Sequence, residues 1–153
     1  MANKKYYLIL ALSFIAFTID RLTKYLFINQ PDNSFVVFPK ILIFELCKNK
    51  GMAFGFIEND ILYYVLFSVI SLILFYLLVD NVRKNNYYLF CCLVFIIIGA
   101  VSNLLDRIKY GGVVDFINVP FWSVFNLADI YIVIAVILWT IILFKHEKFS
   151  KNH

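Results

Sequence analysis

Two aspartates, Asp115 and Asp129, stand among apolar neighbours in the stretch GGVVDFINVPFWSVFNLAD, residues 111–129. Asp115 follows Val113-Val114 and precedes Phe116-Ile117, and Asp129 opens an apolar run over residues 130–144. A carboxylate in such surroundings is costly, so a function is its default reading. Two carboxylates a few ångströms apart cannot both ionise readily; they share a proton and their apparent pKa values split. Such a pair can hold a water, deprotonate it for attack on a carbonyl, and protonate the leaving amine. Asp129, in the first turn of a helix, is expected to ionise more easily because the helix macrodipole favours negative charge there. That gives Asp129 the base role and Asp115 the acid role, although the titration belongs to the pair. The plainer alternative is a loop acid at 115 and a first-turn, helix-stabilising acid at 129.

The elements that must position this pair are membrane helices. Of the 153 residues, 63% are hydrophobic and the mean hydropathy is +0.84, well above the roughly half-apolar make-up of soluble domains. The fold class is therefore mainly α, a polytopic membrane protein forming a single membrane-embedded domain over residues 1–153. Four spans of ~20 residues fit: residues 6–28, 61–79, 87–105, and a last span entered from Asn126 as its cap, with Asp129 in the first turn. Residues 6–19 resemble a signal-peptide core, but no small-residue cleavage site follows and hydrophobicity resumes at Tyr25-Leu26-Phe27.

Between the first two spans the pattern changes. Phe35-Val36-Val37-Phe38 and residues 41–46 are short, β-branched and aromatic, and separated by Pro39-Lys40, which predicts strands at the membrane surface. Asn49-Lys50-Gly51-Met52-Ala53-Phe54-Gly55 follows; its glycines permit a tight turn or a close backbone approach. Residues 80–86 read as a polar connection and residues 108–124 as a loop carrying Asp115.

Further acids mark the span ends. Asp20 and Lys24 are spaced i,i+4 and can pair on one helix face, either as a self-neutralised pair snorkelling to the interface or as part of a site. Asp106-Arg107, at the exit of the third span, reads equally as an interfacial ion pair. An even number of spans puts both termini on one side, and the basic residues of that side, Lys4, Lys5, Arg83, Lys84, Lys145, Lys148 and Lys151, lie in short segments flanking the spans. The positive-inside rule then assigns both termini to the cytoplasm. Asp20, Asp106, Asp115 and Asp129 fall at one depth near the outer surface. The net charge of +4 suits lipid headgroups, not nucleic acid. Cys47 and the adjacent Cys91 and Cys92 give neither a disulfide framework nor a zinc spacing, and His146 and His153 in the polar tail are given no role.

In order along the chain, these motifs resemble those of the lipoprotein signal peptidase (signal peptidase II) family. Asp20-Arg21-Leu22-Thr23-Lys24 is similar to the family's Asp-x-x-Thr-Lys element, and Asn49 to Gly55 fits its Asn-x-Gly-x-Ala-Phe-Gly turn. Asn103-Leu104-Leu105-Asp106-Arg107 fits Asn-x-x-Asp-Arg, preceded by Ile98-Gly99-Ala100-Val101-Ser102 where the family often has extra glycines. Val113-Val114-Asp115-Phe116 and Phe125-Asn126-Leu127-Ala128-Asp129 resemble the two motifs that carry the family's catalytic aspartates. The resemblance implies an intramembrane aspartyl endopeptidase of the bacterial cytoplasmic membrane that cuts diacylglyceryl-modified prolipoproteins just before the lipidated cysteine. Asp115 and Asp129 would be catalytic, with Asp20, Lys24, Asn49, Gly51, Asn103, Asp106, Arg107 and Asn126 supporting the site or binding substrate. Residues 35–46 would form an extracytoplasmic cradle between helices 1 and 2. No metal or cofactor is implied, since carboxylates and a water supply the chemistry. The expected partners are prolipoproteins and membrane lipid, with no nucleic acid and a monomeric enzyme. The rival reading is a small transporter or channel component using its acids for cation or proton binding. Carriers, however, tend to site such acids near the midplane, with broken or repeated helices.

Overall fold

The computed structural model describes residues 2–30, 32, 34–50 and 60–150. Four helices run α1 (Ala2–Asn29), α2 (Asp60–Arg83), α3 (Tyr87–Tyr110) and α4 (Leu127–Ser150). Each contains a stretch long and apolar enough to cross a membrane, as the sequence predicts. Helix α3 is the central one: 44% of its most apolar window is buried against 11% in each of the others. Its residues Cys92 and Ile96 meet Ala135 of α4 in a core cluster closed by Leu74 of α2 and Trp139 of α4. The outward faces of α1, α2 and α4 are apolar and exposed, as lipid-facing helices require.

All four helices run further than their hydropathy predicts, and for α2 and α3 side-chain contacts account for it. The polar cluster after residue 79 does not end α2, because its side chains bond back onto the helix: Asn81 Nδ2 donates to Leu77 O at 2.8 Å and Lys84 Nζ to Asp80 Oδ2 at 2.8 Å. The chain reverses only at Asn85, with φ 55°. Helix α3 continues through Asn103, Asp106 and Arg107 because Asn103 and Asp106 face inward and are buried. It ends at Gly111, whose left-handed φ of 68° suits a residue without a Cβ and whose N–H bonds Arg107 O at 2.9 Å.

The expected cradle is present and larger than the 35–46 segment. Strands β1 (Phe35–Phe38) and β2 (Leu42–Asn49) pair with β3 (Val113–Val119) and β4 (Ser123–Phe125) in one antiparallel sheet of order β1-β2-β3-β4. Thus much of the segment read as a loop over residues 108–124 is strand, and both the α1–α2 and α3–α4 connections build the cradle. Residues 113–117 are all buried, so β3 lacks the in–out alternation that marks a half-exposed strand. The sheet aligns Cys47 of β2 opposite Asp115 of β3.

Candidate active site

Asp115 projects from the buried strand β3 and is 2% exposed. Its Oδ1 accepts Asn126 Nδ2 at 2.7 Å and its Oδ2 accepts Asn49 Nδ2, from the end of β2, at 3.2 Å. Burial pushes its carboxyl up from the ordinary 3.8 to about 6, the charge of Asp129 adds to the rise, and the two asparagine amides oppose it.

Asp129 is the third residue of α4, and the sequence fixes it there through a cap. Asn126 Oδ1 accepts the Asp129 N–H at 3.0 Å, and Asp129 Oδ2 accepts the Asn126 N–H at 3.1 Å. This is the reciprocal arrangement of a capping box, with Asn and Asp in place of Ser and Glu. Asp129 Oδ1 accepts Asn103 Nδ2 at 2.7 Å. Asn103 Oδ1 in turn accepts Asn126 Nδ2 at 3.1 Å and Lys24 Nζ at 2.9 Å.

Behind this layer lies an ionic cluster in which Asp20, Lys24 and Asp106 are fully buried and Arg21 is partly exposed. Lys24, 0% exposed, contacts Asp20 Oδ2 at 3.1 Å and Asp106 Oδ2 at 2.8 Å, and Arg21 Nη1 pairs with Asp106 Oδ1. Asp20 and Lys24 therefore do not snorkel to an interface; the pair is enclosed by α3 and α4. Asp106 likewise pairs inward, with α1, while Arg107 lines the cavity beside the two acids.

The cavity holds about 480 Å³. Asn49, Asn103, Arg107, Asp115 and Asp129 form its polar wall, and Trp122, Ile130, Val133 and Ile134 its apolar one. Such a site can hold a polarised water between acids at one end and an apolar chain at the other. It lies at the sheet end of the bundle, away from the start of α1 and the end of α4. Among the described residues no group of three or more His, Cys, Asp and Glu side chains is arranged to hold a metal. Of the residues singled out from sequence, Asp20, Lys24, Asn49, Asn103, Asp106, Arg107, Asp115, Asn126 and Asp129 converge here, and Gly51 lies outside the described residues. Arg21 and Ser102 also join the cluster, unanticipated; the signal was a polar residue beside each recognised motif position.

The family model for signal peptidase (SPase) II matches residues 12–145. The chain belongs to the signal peptidase II family. A lipoprotein signal peptidase of Caldanaerobacter subterraneus subsp. tengcongensis is 35% identical over 142 residues, covering 90% of this chain and 96% of that protein. One from Moorella thermoacetica is 35% identical over 138 residues, covering 88% and 92%. Among solved structures, a bacterial membrane enzyme determined in meso at 2.3 Å resolution superposes with a TM-score of 0.78 at 28% identity, covering 95% of this chain and 92% of that one. The four-helix architecture and sheet thus have a solved counterpart over nearly the whole chain, and this member of the peptidase family is a membrane protein.

Proposed function

We propose that this chain removes signal peptides from diacylglyceryl-modified prolipoproteins, cutting the bond just before the lipidated cysteine, with Asp115 and Asp129 as an aspartyl dyad. The observation that carries the reading is that two aspartates from different elements, Asp115 of β3 and Asp129 of α4, line one cavity and are tied to each other through Asn126. Asp129 takes the proton of a water as that water attacks the carbonyl of the residue before the cysteine. Asp115, whose carboxyl is raised to about 6, keeps a protonated fraction closer to neutral pH than an ordinary carboxyl does, and that form delivers its proton to the leaving cysteine amine. The acids and the water suffice for the reaction, with no metal step. The apolar wall along α4 accommodates the hydrocarbon side of a lipidated, membrane-held substrate.

The enzyme works in the bacterial cytoplasmic membrane with both termini in the cytoplasm and the dyad near the outer leaflet, a reading supported by the basic residues beside the terminal helix ends and the α2–α3 turn. The test is cleavage of a lipidated precursor peptide by the purified protein in detergent. Asp115→Asn and Asp129→Asn are each expected to abolish cleavage while the protein still inserts, and wild-type turnover is expected to survive a chelator. Full turnover by either variant would remove that residue from the dyad, and loss of turnover on chelation would point to a metalloenzyme.

A further inference from the structure

Each aspartate of the dyad directly follows a residue whose backbone N–H is held by a second, buried aspartate. Val114 N donates to Asp106 Oδ2 at 3.3 Å, and Ala128 N donates to Asp20 Oδ1 at 3.0 Å. The two holding carboxylates come from different helices, α3 and α1, yet share one cation: Lys24 Nζ lies 2.8 Å from Asp106 Oδ2 and 3.1 Å from Asp20 Oδ2. All three side chains are fully buried. The path from Asp115 to Asp129 thus runs through two anchored amides, two carboxylates and one ammonium. The same ammonium donates to Asn103, whose amide reaches Asp129.

From this geometry we propose that Lys24, Asp20 and Asp106 are positioning residues that set the separation of Asp115 and Asp129. Ser102 stiffens this spacer. Its Oγ donates to Asp20 Oδ2 and accepts from Arg21 Nη1 at 3.3 Å, so α1 and α3 are tied at the carboxylate that anchors α4. A buried ion cluster contributes little net stability against its desolvation cost, while its geometry is strongly directional. Its value here is the fixed placement of the β3 and α4 backbones relative to one another. The proposal rests on the dyad reading above.

The test is kcat, KM and the pH profile of kcat for Ser102→Ala and Asp20→Asn, with Asp115→Asn and Asp129→Asn run beside them. The charged and titratable groups around the dyad are Asp20, Arg21 and Lys24 of α1, Asp106 and Arg107 of α3 and Cys47 of β2. Ser102→Ala removes none of these charges and only the hydroxyl that ties Asp20 and Arg21 to α3. Two close carboxylates titrate with widely split apparent values, so a loosened spacer should bring the two limbs of the profile together. For Ser102→Ala the expected result is a fall in kcat of about tenfold per folded molecule, the scale of one hydrogen bond to a charged group, with little change in KM and a narrower profile. Asp20→Asn should lower kcat further, by about a hundredfold, as an ångström-scale misplacement does; if it fails to insert, Ser102→Ala decides. A smaller folded fraction with unaltered kcat per folded molecule and an unaltered profile would overturn the proposal. Turnover surviving in Asp115→Asn or Asp129→Asn would overturn the dyad itself, a separate and recognisable failure.

Discussion

Asn126 and Asp129 cap one another: Asn126 Oδ1 accepts the Asp129 N–H at 3.0 Å, and Asp129 Oδ2 accepts the Asn126 N–H at 3.1 Å. The same Asn126 side chain donates to Asp115 at 2.7 Å. One residue therefore starts α4, orients one acid and holds the other. Asn126→Ser keeps a capping oxygen but loses the amide donor, whereas Asn126→Ala loses both. Thermal unfolding in detergent should find the Ala variant less stable than the Ser variant by ~1 kcal/mol, the worth of a cap. Peptide cleavage should fall about a hundredfold in both, since both release Asp115. Near-normal cleavage by Asn126→Ser would separate the cap from the chemistry.

Asp115 gives stability a pH dependence of a definite sign. Its carboxyl titrates near 6 in the folded protein against 3.8 ordinarily, so between those values the folded state holds a proton that the unfolded chain has released. Stability from this group is complete below about pH 4 and is lost as pH rises through 6, a total of about 3 kcal/mol. Asp115→Asn removes the penalty. The variant is expected to unfold at a higher temperature than the parent at pH 7.5 and at a similar one at pH 4, a crossover that scanning calorimetry at the two pH values would detect.

The same titration should appear in catalysis. If Asp115 delivers a proton, kcat/KM falls as pH rises through about 6, because that ratio reports the free enzyme's acid. Initial rates at low substrate across pH 4.5–8 check this, each pH value being an approximate choice bracketing the carboxylate range. A level profile through that interval would take the acid role from Asp115.

How much of this was legible in the sequence follows from range of interaction. The spans, the Asn126 cap and the strands around Phe35 and Ile43 are local signals and could be read directly. Strand β3 was not, because burial on both faces erases its alternation. The sequence pattern ends α3 at Leu105 because Asp106 and Arg107 look like an interfacial end, whereas Asp106 is paired inward with Arg21 and Lys24. Those partners lie more than eighty positions away, and no periodicity within one helix indicates them. Asn49 and Asn103 could be singled out only through their motifs; that one meets Asp115 and the other Asp129 is a product of the sheet register and the α3–α4 crossing.

Gly99 lies at that crossing, packed against α4. A Cβ there would lie 2.8 Å from Ala128 O and 2.7 Å from Ile132 Cγ1, and the first of these is backbone that cannot swing aside. Ala128 sits between Asn126 and Asp129, and its N–H is held by Asp20. Gly99→Ala must therefore displace the first turn of α4 against its anchor. Overpacking of this kind costs roughly 1–3 kcal/mol, measurable as a lower unfolding temperature. The displaced turn carries Asp129, so cleavage per folded molecule should fall by more than the loss of folded enzyme explains, with kcat affected and KM little changed. A Gly99→Ala enzyme that is less stable but turns over normally when folded would show that α4 can shift without moving Asp129 relative to Asp115.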